Sequence, residues 1–207
     1  MPARICSRRR HGIVQFIIRQ TRHGREVMRL IVLDRDGVIN EDSEAYIKSP
    51  AEWMPIEGSL EAIARLNHAG YQVVVATNQS GVARGLFDLE TLMRIHERMH
   101  HATAAAGGSI DAVFFCPHGP DDDCECRKPR PGLLRDLAQR LRVQLDGVPA
   151  IGDSLRDLQA AQAVGARPIL VRTGKGRATE AALPSGHGYP VYADLAAAVD
   201  ALLADES

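Results

Sequence analysis

No stretch of this chain reaches the ~18–20 consecutive apolar residues that a membrane-spanning helix needs. The apolar stretch at residues 12–20 (GIVQFIIRQ) is broken by Gln15 and Arg19 and has no small-residue cleavage site after it, which argues against a secretory signal. An excess of one charge sign is also missing. Lys and Arg number 25 against 26 Asp and Glu, a formal net charge of −1, too little field over the whole domain to hold nucleic acid. There are no internal repeats and no low-complexity segments. A Walker-type phosphate loop is absent too: Gly176 follows Gly174-Lys175 where Ser or Thr is required, and Ile169 stands at the leading glycine position. Cysteine is scarce, at four in 207 residues, but a domain of this size buries a full core without disulfides. What remains is ordinary soluble composition, 45% hydrophobic and 25% charged. The expectation is a cytoplasmic monomer with neither a membrane nor a nucleic-acid partner.

The charge that is present is placed unevenly. Residues 1–27 hold seven arginines and one acid, Glu26, a net +6 that leaves −7 for residues 28–207. This stretch reads as a basic extension outside the fold, with an organelle transit peptide as the alternative. The folded domain is expected to run from Met28 to Ser207.

From Met28 onward, short apolar runs alternate with amphipathic stretches. Strands are expected at 29–33, 71–76, 112–115, 150–151 and 168–171, from their β-branched or continuous apolar runs. Helices are expected from Ser59, as the capping residue, to about Gly70, and from Asp88 to about Gly107. Others are expected on the Leu133, Leu134, Leu137 and Leu141 stripe, over 155–164, and over 195–203. Strand–helix alternation implies right-handed crossovers and a Rossmann-like α/β parallel sheet with helices on both faces. Ligands then bind outside the carboxyl ends of the strands.

Reactive residues fall at those ends. Asp34 and Asp36 sit two apart where the first expected strand stops, so a period-2 backbone can aim both into one space. Gly37 then permits a turn that a Cβ would hinder. Asp34 can attack phosphorus, while Asp36 can protonate the leaving oxygen and later activate water. Thr77-Asn78 ends the next strand with a hydroxyl and backbone N–H groups for phosphoryl oxygens. Lys128, beyond the third strand, adds a point charge. Gly152-Asp153 supplies a further carboxylate for Mg²⁺, which favours hard oxygen ligands, with Asp157 one turn on to orient it.

Cys116, His118, Cys124 and Cys126 cluster within eleven residues. Three thiolates and an imidazole form a closed tetrahedral set suited to structural Zn²⁺. A disulfide is the alternative, disfavoured in the cytosol and leaving an odd thiol. Arg127 and Lys128 follow this loop directly, so folding it around a metal would fix both cations. His96-Glu97-Arg98-Met99-His100 matches the zinc-protease pattern, but no third ligand stands out and the pair reads as a solvated helix face. Cys6 reads as an incidental thiol.

The four strand-end elements, in this order, resemble the haloacid dehalogenase superfamily. DRDGVIN (34–40), TNQSGVARG (77–85), the CPH and CEC ligands and RKPRPG (127–132) narrow the resemblance to its zinc-loop branch of phosphosugar phosphatases. That branch implies a heptose bisphosphate as the small phosphosugar substrate, with histidinol phosphate as the runner-up. The resemblance also implies Mg²⁺ on Asp34, Asp36 (through its backbone carbonyl) and Asp153, with structural Zn²⁺ on the cysteine–histidine loop. Asp34, Asp36, Thr77 and Lys128 are implied as catalytic. Asp42, Thr77, Asn78, Gln79, Ser80, Arg127 and Lys128 are implied as substrate-binding. The gaps before Gly58 and before Asp88 are too short for a separate cap domain. A zinc-loop adaptor whose basic tail binds nucleic acid is the reading from another class, and it leaves four intact reactive motifs unexplained.

Overall fold

The structure, a computed structural model, describes residues 13–16 and 29–205. Continuous β-branched runs make strands whose two faces are both covered. β2 (Arg29–Leu33), β3 (Tyr71–Asn78) and β4 (Ala112–Cys116) are of this kind, followed by β5 (Pro149–Gly152), β6 (Arg167–Val171) and the two-residue β7 (Val191–Tyr192). Pairing is parallel throughout these six, and the sheet order β4-β3-β2-β5-β6-β7 confirms the doubly wound α/β class.

The chain winds outward from β2 to β4 and then returns to the other side of β2 for β5. The crevice at the carboxyl ends of β2 and β5 is therefore the topological switch point, where such sheets place their ligands. Short loops leave room there, and no separate cap domain intervenes. Residues 41–57 hold only one helical turn, Pro50–Glu52, pinned to the core by the fully buried Trp53.

Helices cover both faces as expected. α1 (Ser59–His68), α2 (Leu89–Ala105) and α6 (Leu195–Ala204) set Ile63, Leu66, Ile95, Met99, Leu195 and Val199 against one face. α3 (Gly132–Leu141) and α4 (Leu155–Gln162) set Leu133, Leu137, Ala160 and Ala161 against the other. Burying each large aliphatic side chain is worth roughly 1.5–3 kcal/mol, so these stripes bind helix to sheet. Asp88 caps α2 by accepting from the Thr91 N–H at 2.8 Å.

Four local features differ from expectation. Ser59 does not cap α1: Gly58 takes the cap position at φ +76°, and the Ser59 hydroxyl donates to the Ile39 carbonyl at 2.7 Å instead. His96 is not on a solvated face but wholly buried, edge-on to Phe115. The short α5 (Gly176–Ala182) and β7 carry too little apolar pattern to be seen in sequence. Finally, β1 (Ile13–Phe16) comes from the stretch expected to lie outside the fold and pairs antiparallel with β4, Ile13 opposite Phe115. Without it the outer edge of β4 would present unpaired backbone groups. The rest of residues 1–27, Cys6 included, and Met28 lie outside the described residues.

Candidate active site

Asp34 continues β2 by one residue, its N–H donating to the Ile151 carbonyl of β5 at 2.9 Å. The chain then turns sharply. Gly37 lies at φ +79°, and a Cβ there would stand 2.1 Å from Asp153 Oδ2. Gly174 packs against Gly37 and crowds the same oxygen, its own Cβ position 2.3 Å from Oδ2 and 2.6 Å from Gly37 Cα. Asp153 Oδ2 thus rests against two touching glycines, held by the Lys175 N–H at 2.8 Å.

Lys128 reaches this centre from the loop after β4. Its ammonium lies 3.2 Å from Asp34 Oδ1 and 2.7 Å from Asp157 Oδ1, and donates to the Ala76 carbonyl at 2.7 Å. Asn78 places it: the side-chain amide donates to the Lys128 carbonyl at 3.0 Å, and its oxygen accepts from the Lys128 N–H at 3.1 Å. Asp157 closes the start of α4, taking hydrogen bonds from the Ser154 backbone and hydroxyl.

Asp36 stands in a different setting. Arg35 Nε and Nη2 each donate to it at 3.0 Å, Asn40 Nδ2 at 2.9 Å and Gln79 Nε2 at 2.9 Å. Gln79 also donates to the Thr77 hydroxyl at 2.9 Å and accepts from Arg35 at 3.1 Å. The acid is therefore tied to the end of β3 through one amide.

Electrostatics separate these acids. Burial pushes Asp34 up to about 6, against the pull of Lys128. Burial, with the charges of Asp34 and Asp157, raises Asp153 to about 7. Burial would raise Asp36 as well, but Arg35 and the Asn40 and Gln79 hydrogen bonds hold it below the usual carboxylate range. Lys128 is opposed by burial and supported by Asp157 and Asp34, with the net effect upward, so it stays charged. Asp157 is held down by Lys128 and Ser154 despite its burial.

Oxygen ligands of Asp34, Asp153 and Asp157 lie within 4.8 Å of one another. Asp157 is committed to Lys128 and Ser154, whereas Asp34 and Asp153 carry repulsion that the protein's own cations do not cancel. Hard oxygens in that state fit Mg²⁺. The zinc-loop expectation also meets a suitable geometry. Sγ of Cys116 is 3.3 Å from Cys126, 3.6 Å from Cys124 and 3.5 Å from His118 Nδ1, which is 3.3 Å from Cys126. A tetrahedron of ~2.3 Å metal–sulfur bonds has edges of about 3.8 Å, so the four donors fit one ion. The hydrogen bond from Cys126 holds the Cys116 thiol down to about 5 and pushes Cys126 itself up, so the two sulfurs share a proton that a bound cation would displace.

The cleft above Asp34 measures about 330 Å³. Asp34, Asp36, Asp42, Thr77, Asn78, Gln79, Ser80 and Arg127 all line it, whereas the buried Lys128 and Asp153 do not, Lys128 meeting the site through its contact with Asp34. Arg127 also donates to the His118 carbonyl at 3.3 Å, tying the cleft to the cysteine loop. Asp42 is paired with Lys175 across the mouth. Other residues at the site had not been singled out for it. Arg35 and Asn40 hold Asp36, and Arg156, Lys175 and the loop residues Ser43, Glu44, Tyr46 and Ile47 line the cleft. The position of Arg35 between the two acids was the one available signal.

A buried carboxylate at the switch point, a second acid two residues on and a buried lysine in contact with the first suit a phosphohydrolase with the haloacid dehalogenase-like fold. The comparisons agree. The HAD-hydrolase-like family model matches residues 125–198, and that of polynucleotide kinase 3 phosphatase matches residues 29–154. A D-glycero-beta-D-manno-heptose-1,7-bisphosphate 7-phosphatase of Bordetella bronchiseptica is 60% identical over 176 residues, 85% of this chain and 98% of the relative. One of Pseudomonas aeruginosa is 52% identical over 174 residues, 84% of this chain and 97% of the relative. The crystal structure of the B. bronchiseptica D,D-heptose 1,7-bisphosphate phosphatase, complexed with magnesium and phosphate, superposes with a TM-score of 0.82 at 60% identity. That match covers 86% of this chain and 99% of the other. The chain belongs to the D-glycero-beta-D-manno-heptose-1,7-bisphosphate 7-phosphatase family of HAD-like hydrolases.

Proposed function

We propose that this protein hydrolyses the C7 phosphate of D-glycero-D-manno-heptose 1,7-bisphosphate, giving heptose 1-phosphate through an aspartyl-phosphate on Asp34. The observation that carries this reading is the 60% identity, over nearly the whole of a relative with that name. The geometry suits the chemistry. An oxygen of Asp34 attacks phosphorus while Lys128, in contact with it, offsets charge on the transferring group. The Thr77 hydroxyl and the backbone at the end of β3 face the same cleft. Asp36, ionised in the free protein, takes up the proton that the substrate's phosphate monoanion brings in and gives it to the leaving alkoxide. It then takes one from the water that cleaves the acyl-phosphate, restoring Asp34. Asp34, Asp36 and Asp153 are the residues that would hold Mg²⁺, whose charge offsets repulsion between a carboxylate and a phosphate dianion.

Cys116, His118, Cys124 and Cys126 would hold a structural Zn²⁺, and the Arg127 contact with His118 would set the cation for the sugar. Among the described residues no helix is long and apolar enough to cross a membrane, and we place the reaction in the cytoplasm. Histidinol phosphate is not favoured by the relatives above. The test is Mg²⁺-dependent phosphate release from heptose 1,7-bisphosphate against histidinol phosphate. A preference for the second would overturn the substrate.

A further inference from the structure

Three cations line the cleft, Arg127, Arg156 and Lys175. Two have partners in the protein. Lys175 Nζ pairs with the Asp42 carboxylate, and Arg127 Nη1 donates to the His118 carbonyl. Lys128, beside Asp34, is engaged with Asp34, Asp157 and the Ala76 carbonyl. Arg156 stands apart. It lines the cleft but has no hydrogen bond or ion pair among the described residues, and its buried Nε meets no acceptor, which leaves the terminal nitrogens of the fork as the groups a ligand could engage.

Its place on the helix is equally unrewarding. Arg156 is the second residue of α4, where the helix dipole presents positive charge and disfavours a cation. Burial also works against its charge, but the fields of Asp157, Asp34, Asp153 and Asp42 more than offset this, and the guanidinium stays ionised. The resting protein thus holds a charged fork without a hydrogen-bond or ion-pair partner among the described residues, in a poor helical position, on the wall of the cleft.

We propose that Arg156 binds the phosphate that is not transferred, giving the cleft a second anion subsite. This rests on the bisphosphate reading above. The reacting phosphate already has the Thr77 hydroxyl, the end of β3 and Lys128. Arg156 lines the same cleft as Asp34 and Asp42, so it shares the space in which the rest of the substrate must lie. A cleft of about 330 Å³ falls in the ~300–1,000 Å³ range of small-ligand sites, room for more than a lone phosphate. The planar fork matches two phosphate oxygens at once.

The test compares wild type, Arg156→Gln and Arg156→Lys on heptose 1,7-bisphosphate and on p-nitrophenyl phosphate. It also measures inhibition of p-nitrophenyl phosphate hydrolysis by heptose 1-phosphate, which carries only the untransferred group. Charge-assisted hydrogen bonds of the usual strength imply that Arg156→Gln loses roughly 10- to 150-fold in kcat/KM on the bisphosphate. The loss should lie mostly in KM and exceed that on p-nitrophenyl phosphate at least tenfold. The inhibition constant of heptose 1-phosphate should rise by a similar factor, and Arg156→Lys should fall between. If Arg156→Gln does not fold, Arg156→Lys carries the same comparison. Equal losses on both substrates, or an unchanged inhibition constant, would overturn the subsite. A wild-type enzyme with no preference for the bisphosphate would instead overturn the substrate assignment beneath it.

Discussion

Arg35 grips the Asp36 carboxylate with two hydrogen bonds of 3.0 Å, from Nε and Nη2, while itself wholly buried. A planar fork fixes both the direction of the acid and its charge. Arg35→Lys keeps the charge but gives up the fork and the link to Gln79. At about 1.5–3 kcal/mol per charged hydrogen bond, kcat should drop roughly 10- to 150-fold, with the acid limb of its pH profile moving upward. A wild-type profile in that variant would show that Arg35 does not position Asp36.

Asp34→Asn should remove turnover nearly completely with the fold intact, because an amide cannot form the acyl-phosphate. Asp36→Asn should be severely impaired through lost proton transfer. Trapping of phosphate on the protein, read by mass spectrometry, separates the steps. Retained activity in Asp34→Asn would end the covalent mechanism.

Asp34 at about 6 and Asp153 at about 7 are raised from 3.8, by burial first. The folded protein therefore keeps protons that the unfolded chain has released. Their stabilising contribution is complete below the unfolded value and is lost as pH rises through 6 to 7. Without divalent ions, the melting temperature should fall from this source between pH 5 and pH 8. Mg²⁺ competes with those protons, so the rise in melting temperature that it produces should be larger at pH 8 than at pH 5. An increment independent of pH would argue against Asp34 and Asp153 as ligands.

Purified protein should carry about one Zn²⁺ per chain, and Cys124→Ser or Cys126→Ser should lower the melting temperature, because a structural metal contributes folding energy. Elemental analysis and thermal denaturation read both. Zinc-free protein with a disulfide between two of the loop cysteines would exclude the site.

A chain beginning at Met28 should keep its kcat/KM, since every group named at the site lies between residues 34 and 175. It should lose some stability, because β4 loses its antiparallel neighbour, and an open edge invites pairing with another chain. Activity, melting temperature and size-exclusion profile are the readouts. Lost turnover would mean that residues 1–27 support the site.

The strand ends were legible because buried parallel strands write themselves as unbroken apolar runs, so a reactive residue that stops one stands out. Asp34, Thr77 and Asp153 are of this kind. Arg35 was not legible in the same way, since arginine is rarely buried and its fork depends on Gln79, which the fold brings in from another strand end. His96 was misread although its spacing was informative: with Leu92, Met99 and Thr103 it lies on one side of α2, and all four are buried. The expectation that this helix turns its outer face to solvent outweighed the periodicity. Ser59 was diverted by the Ile39 carbonyl, a partner twenty residues away, which no local pattern announces. β1 was missed because its apolar residues sit among arginines.

The contact of Gly37 and Gly174 around Asp153 sets limits on how this protein could be re-engineered. Any side chain at either position would occupy the space of the Asp153 carboxylate, so a mutagenesis library should leave both untouched. Residues 42–47, which wall the cleft from a loop without regular structure, are the place to randomise. Selection there could change which phosphate ester is accepted while Asp34 and Lys128 stay as they are.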